Sequence, residues 1–250
     1  VINEELNKQL EQRAYNRNYS PPPEDVTMTI QGKVCATLEN IIVFTGLPKA
    51  GKSSFLTAAI CSAFMTYSLF DIKITLPHNR CIIGYFDTES STYDFYKTME
   101  RIKTNMGAND LPLHFQPFTL RDAEPAQIKV LIEYYLTQLP QCSMLFIDGL
   151  LDCLNNYNDE TESRLLITWL KKITTIYKIT IVGVVHTGKK DNNTLGHFGS
   201  MVDRYSQSVL IVERDTDKNL FTLKPKFMRS DLHFNPISLT NNAGKFEQVF

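Results

Sequence analysis

The sequence predicts an α/β domain built on a mainly parallel, twisted sheet flanked by helices, with antiparallel strands at its C-terminal end. Three observations carry this. Short β-branched and aromatic runs end abruptly at a glycine or a carboxylate, and longer helix-periodic segments alternate with them. In the last part of the chain short apolar runs follow one another between Asp and Asn turns, the pattern of an antiparallel sheet edge. The 250 residues can hold one large domain and do not require a second.

Residues 3–18 are polar and helix-permissive, with Leu6, Leu10 and Tyr15 as sparse apolar positions, and Pro21-Pro22-Pro23 stops any helix there. The expected division is therefore an arm and proline-rich linker over 1–26 and a domain over 27–250. The arm is expected to be disordered in the isolated chain and to dock in an assembly. Residues 27–30 and 33–38 read as short strands leading into a core strand at 41–45. Residues 55–69 read as the first crossover helix. A buried strand at 80–86 ends in Asp87-Thr88-Glu89, and a helix at 93–106 stops at Gly107. A strand at 113–118 and a helix at 125–139 follow. Residues 143–148 form an apolar strand ending in Asp148, with Asp152 one turn later. The helix 160–177 carries the lone Trp169, a core residue on this reading. The strand 180–185 runs into His186-Thr187, and 189–193 is a polar, turn-rich loop. Short strands at 208–212, 221–226 and 236–239 complete the chain.

The centre of this arrangement is Gly46-Leu47-Pro48-Lys49-Ala50-Gly51-Lys52-Ser53, which follows the strand 41–45 and opens a helix. Backbone N–H groups of a tight loop and a helix N-terminus converge there on a polyphosphate, and the helix dipole adds to their pull. Lys52 would reach the outer phosphates, the Ser53 hydroxyl would sit on Mg²⁺, and Ser54 is placed for an inner phosphate. The strand before and the helix after are the context this motif requires. Pro48-Lys49-Ala50 fills the variable stretch without an extra glycine, which leaves the nucleotide preference open. Asp148, at the end of a buried strand, can hold Mg²⁺ through water, or else cap a helix.

Formal net charge is -1, so any nucleic-acid contact must come from a local basic patch. Cys35, Cys61, Cys81, Cys142 and Cys153 are scattered without metal spacing and read as small buried apolar residues in a reducing cytoplasm. No segment has the length and purity of a membrane span, and the N-terminus lacks a signal peptide's apolar stretch. The chain starts at Val1 rather than Met, as a fragment or processed chain would.

The order of these features resembles the RecA/DnaB ATPase core. Within that group it is most similar to the RepA-type hexameric helicases of plasmids and mobile elements, over about residues 32–239. The resemblance implies a RecA-like P-loop core, ATP and Mg²⁺ as cofactors, a homo-oligomeric, hexameric ring, and single-stranded DNA as partner. It implies that Glu89 is the general base or orients the attacking water; a surface or capping glutamate is the alternative. His186 takes the place of the polar residue that senses the γ-phosphate, or is a structural histidine. Lys189 and Lys190 would touch nucleic acid from a channel loop, or be solvated. Residues 196–201 resemble the Arg-Gly-Ser-containing stretch, but His197-Phe198 stands where an arginine is usual. The stretch 226–229 resembles the region that reaches across a subunit boundary, with Arg229 as a finger and Lys226 on the nucleotide. A regulatory ATPase switch that unwinds nothing is the second reading. A small-molecule kinase is disfavoured because no Arg-rich lid is evident.

Overall fold

The computed structural model describes residues 2–188, 196–231, 233–242 and 245–249. Its main sheet has nine strands in the order β12-β11-β10-β9-β3-β8-β7-β5-β6. The parallel part comprises β3 (Ile41–Gly46), β5 (Ile82–Asp87), β6 (Phe115–Thr119), β7 (Cys142–Asp148), β8 (Thr180–His186) and β9 (Ser208–Asp215). An antiparallel meander, β10 (Leu220–Met228), β11 (Ile237–Asn242) and β12 (Lys245–Val249), extends it beyond β9.

Both faces of the parallel strands are covered, which is why β3 and β7 are apolar and buried throughout rather than alternating. Ile42 and Phe44 enter one core with α2 (Lys52–Phe64) and α3 (Thr92–Met106). Ile41 and Val43 enter the other, with α4 (Pro125–Gln138), α5 (Glu160–Tyr177) and α6 (Gly196–Tyr205). The helices start where the sequence supplies caps. Ser91 accepts from the Asp94 N–H, Asp159 accepts from the Glu162 N–H, and Pro125 occupies the first turn of α4. Gly107 closes α3 in the left-handed conformation.

Several elements differ from the sequence reading. Strands β1 (Val26–Ile30) and β2 (Lys33–Thr37) do not lead into the main sheet. With β4 (Ile72–Ile74) they form a separate antiparallel sheet packed on the α2 side, because Met28, Ile30, Ile72 and Ile74 need that core. Helix α2 begins at Lys52 rather than residue 55, since the phosphate loop turns directly into it, and it ends at Phe64 rather than 69. The stretch 196–201, which resembles the Arg-Gly-Ser-containing stretch and has no element in the sequence reading, opens α6, whose Phe198 and Val202 are buried against the second core. Strand β12 carried too little apolar signal to be foreseen. At the other end of the chain, Ile2–Glu11 is a helix, α1, with Glu4 and Glu5 in its first turn and Lys8 in its last, charges that suit the helix dipole. Residues 3–26 are exposed. Among the described residues, no helix is long and apolar enough to cross a membrane.

Candidate active site

The phosphate loop leaves β3 at Gly46 and enters α2 at Lys52. Two of its glycines are required by their surroundings. Gly46 has φ +151° and lies against the Val212 carbonyl of β9; Gly51 has φ +94° and lies against the Phe221 ring of β10. A side chain at either would collide as well as strain the backbone. The Lys52 and Ser53 amides fall in the first turn of α2, where N–H groups lack an intrahelical carbonyl and the dipole is positive, an anion-binding arrangement.

Parallel strands then bring distant residues to the loop. Lys52 Nζ is buried and donates to the carbonyls of Gly46 at 2.9 Å and Leu47 at 2.8 Å, and contacts His186 Nδ1 at 3.0 Å. His186 Nε2 lies 3.3 Å from Glu89 Oε2. A lysine ammonium has only donors, so Nδ1 accepts and the ring proton is on Nε2, donating to Glu89. Burial lowers the Lys52 pKa to about 8, against the opposing pull of Asp148 and Glu89. The His186 hydrogen bond holds the Glu89 carboxyl below its ordinary value, outweighing its partial burial. Glu89 is aimed by Asp87, whose Oδ1 accepts the N–H groups of Glu89 at 3.0 Å and Ser90 at 2.7 Å.

Ser53 Oγ donates to Asp148 Oδ2 at 3.4 Å, so a hydroxyl and a carboxylate meet beside the loop. Burial, helped by the charges of Asp87 and Glu89, raises the Asp148 pKa to about 7, while Lys52 and His186 oppose it. A carboxylate held in that state has a deficit of positive charge around it, which a divalent cation would supply. The donor set is oxygen only and small, as suits Mg²⁺, which takes one or two protein ligands together with substrate phosphates and water. Among the described residues, no group of three or more His, Cys, Asp or Glu forms a metal site of the all-protein kind.

An open cleft of about 560 Å³ joins these groups. Pro48, Lys49, Gly51, Lys52, Ser53 and Ser54 line it together with Glu89, Asp148 and His186. Arg101 and Asp94 of α3, Arg121 of the loop after β6, and Asn241 of β11 also line it. None of these four stood in a recognisable motif; only tertiary folding brings them in. A second hollow of about 610 Å³ adjoins the loop at Leu47, Lys49 and Ala50 and is closed by Val212 and Arg214, whose guanidinium lies over Phe221 with 5.0 Å to the ring centroid.

Two sequence candidates are not in this cleft. Strand β10 runs opposite to β3, so its end lies at the other rim of the sheet. There the Arg229 N–H donates to the Gln207 carbonyl, whose own N–H donates to Ile41 at the start of β3. The strand rise puts that rim about 17 Å from Gly46. Arg229 Nη2 donates to the Arg204 carbonyl at 3.0 Å, and Lys226 pairs with Asp203 at 2.8 Å. Lys189 and Lys190 lie outside the described residues.

A protein-family model described as "AAA domain" matches residues 13–192, well over half of the chain. Among solved structures, a KaiC-like protein from the hyperthermophilic archaeon Pyrococcus horikoshii superposes with a TM-score of 0.59 at 12% identity, covering 85% of this chain and 90% of that one. At that identity the likeness is one of fold, and the fold is RecA-like. No curated protein matches the sequence. The family match and the phosphate-loop geometry agree, and the chain belongs to the AAA-domain family of P-loop ATPases, which use nucleotide and typically Mg²⁺.

Proposed function

We propose that the chain is an ATP-hydrolysing, ring-forming motor on single-stranded DNA, of the replicative-helicase kind carried by mobile elements. The observation that supports it most is the row Glu89, His186, Lys52 across the ends of three parallel strands, with Ser53 and Asp148 beside it. Lys52, held on loop carbonyls, has a short path to the β- and γ-phosphates. Glu89, kept ionised by His186, can accept a proton from water in line with the γ-phosphate. Mg²⁺, held by Ser53 and by Asp148, would neutralise charge on the β- and γ-oxygens.

A cation for the transferring phosphoryl from Arg229 must come from a neighbouring copy, because within one chain Arg229 stands at the far rim. That geometry favours a head-to-tail ring with a site at each boundary. Lys189 and Lys190, after the strand that ends in His186, are the candidates for contact with DNA phosphates.

The test is ATP turnover with and without single-stranded DNA, at protein concentrations above and below assembly. Turnover should rise with both; flat turnover in all four conditions removes the motor. Mixing E89Q with R229A, each inactive alone, should restore roughly a quarter of the sites by random assembly, because a boundary can then combine an intact Glu89 with an intact Arg229. The net charge of -1 favours a second reading, an ATP-driven switch that binds DNA or a partner without translocating. Strand displacement on a forked duplex separates the two.

A further inference from the structure

Thr88 directly follows β5 and precedes Glu89, and it is hydrogen-bonded to the end of β7, which carries Asp148. Its N–H donates to the Asp148 carbonyl at 2.8 Å, and its hydroxyl accepts the Gly149 N–H at 2.8 Å. The same hydroxyl has one hydrogen to give and two acceptors in reach, Asp152 Oδ2 at 2.6 Å and the Gly149 carbonyl at 3.1 Å. The charged and nearer carboxylate takes it. Asp152 is itself fixed. It belongs to the single helical turn Leu150–Cys153, whose Leu150 is fully buried and fills the space over Gly183 of β8, where a side chain would collide with it. A rigid turn seated on β8 therefore orients one hydroxyl, and that hydroxyl ties the end of β5, carrying Glu89, to the end of β7, carrying Asp148.

We propose that Asp152 is a positioning residue, acting through Thr88 to hold Glu89 and Asp148 in register, and is not a ligand of the metal. The inference rests on the hydrolytic reading of this cleft. Its consequence is kinetic: displacement of a reacting group by about 1 Å can cost about 100-fold in rate while leaving binding almost intact.

The experiment uses the 250-residue chain with T88V, T88S, D152A and D152N. ATP turnover, the Mg²⁺ concentration for half-maximal turnover and the affinity for a fluorescent ADP analogue are measured for each. Ser keeps the hydroxyl and Asn keeps an acceptor oxygen, so T88S and D152N should stay within about threefold of wild type. T88V and D152A should lose about 10- to 100-fold in kcat, with analogue affinity and Mg²⁺ half-saturation unchanged. The near-isosteric T88V keeps the test valid should D152A fold poorly. D152N as slow as D152A, or a tenfold rise in Mg²⁺ half-saturation in either, would put Asp152 in the chemistry and overturn the proposal. Wild-type turnover matched by all four variants refutes the positioning role alone. A wild-type chain without turnover removes the hydrolytic reading, and this inference with it.

Discussion

Asp148 makes a quantitative test of the site possible through stability alone. Its carboxyl is buried and raised from 3.8 to about 7, chiefly by that burial and then by the negative charges of Asp87 and Glu89. Between those two values the native chain holds a proton that the unfolded chain has released. Wild-type stability contributed by this group therefore falls as pH rises from about 4 to about 7, and levels off above. D148N keeps the shape and an acceptor oxygen for Ser53 but has nothing to titrate. Each tenfold preference for the proton corresponds to about 1.4 kcal/mol, so the variant should gain about 4 kcal/mol on wild type between about pH 4 and pH 8. The gap should open steadily below neutrality and then stay constant. Urea unfolding followed by Trp169 fluorescence, in chelator-containing buffers across that range, measures it. Mg²⁺ with a non-hydrolysable ATP analogue should close the gap, because only the carboxylate can hold the cation. A difference between variant and wild type that does not change with pH, or one of opposite slope, would refute the assignment of Asp148 as a desolvated carboxyl.

Further outcomes follow from the same geometry. E89Q should lower kcat by about 10²- to 10⁴-fold while nucleotide affinity, measured by analogue fluorescence, changes little, since Glu89 lies beyond the loop that binds the phosphates. Because the His186 hydrogen bond depresses the Glu89 carboxyl, the acid limb of wild-type turnover attributable to Glu89 should fall below the ordinary value of 4.5, and H186A should move it upward. G51A combines a left-handed backbone with a methyl driven into the Phe221 ring, and should cost about 2–4 kcal/mol in urea unfolding. F221L should return part of that loss in the double variant by making room; no recovery would mean that the backbone strain alone carries the cost.

The phosphate loop could be read because its chemistry is local. Glycines for a turn, a lysine and a hydroxyl must be close in sequence to meet one polyphosphate, and a buried parallel strand advertises itself as an unbroken apolar run. Asp148 and His186 were readable for a related reason, each being the first polar residue after such a run, and Glu89 closes the short polar stretch Asp87-Thr88-Glu89 that follows another. Arg101, Arg121, Asn241 and Arg214 carried no comparable signal. A charged residue on a helix face or in a loop looks the same whether it lines a cleft or faces solvent, and the fold alone decides. The same is true of α6: the polar and glycine residues around Phe198 show no clear helical pattern, and burial of Phe198 and Val202 on the second core holds them as a helix. Strands β1 and β2 were identified as strands, yet their partner was not, since β4 has only three residues and too short an alternation to be noticed.

What the sequence determined by itself was the order of strands and helices and the residues standing at each strand's end, because hydrophobic periodicity and turn chemistry act over a few neighbours. Tertiary structure alone decided which of those ends share a rim. Strand order in the sheet puts Lys52, His186, Glu89 and Asp148 together and lets Thr88 and Asp152 meet across 64 residues of chain, while the antiparallel run of β10 sends Arg229 to the opposite side. Those placements come from burying two continuous cores at once, a requirement on the whole chain that no short segment contains.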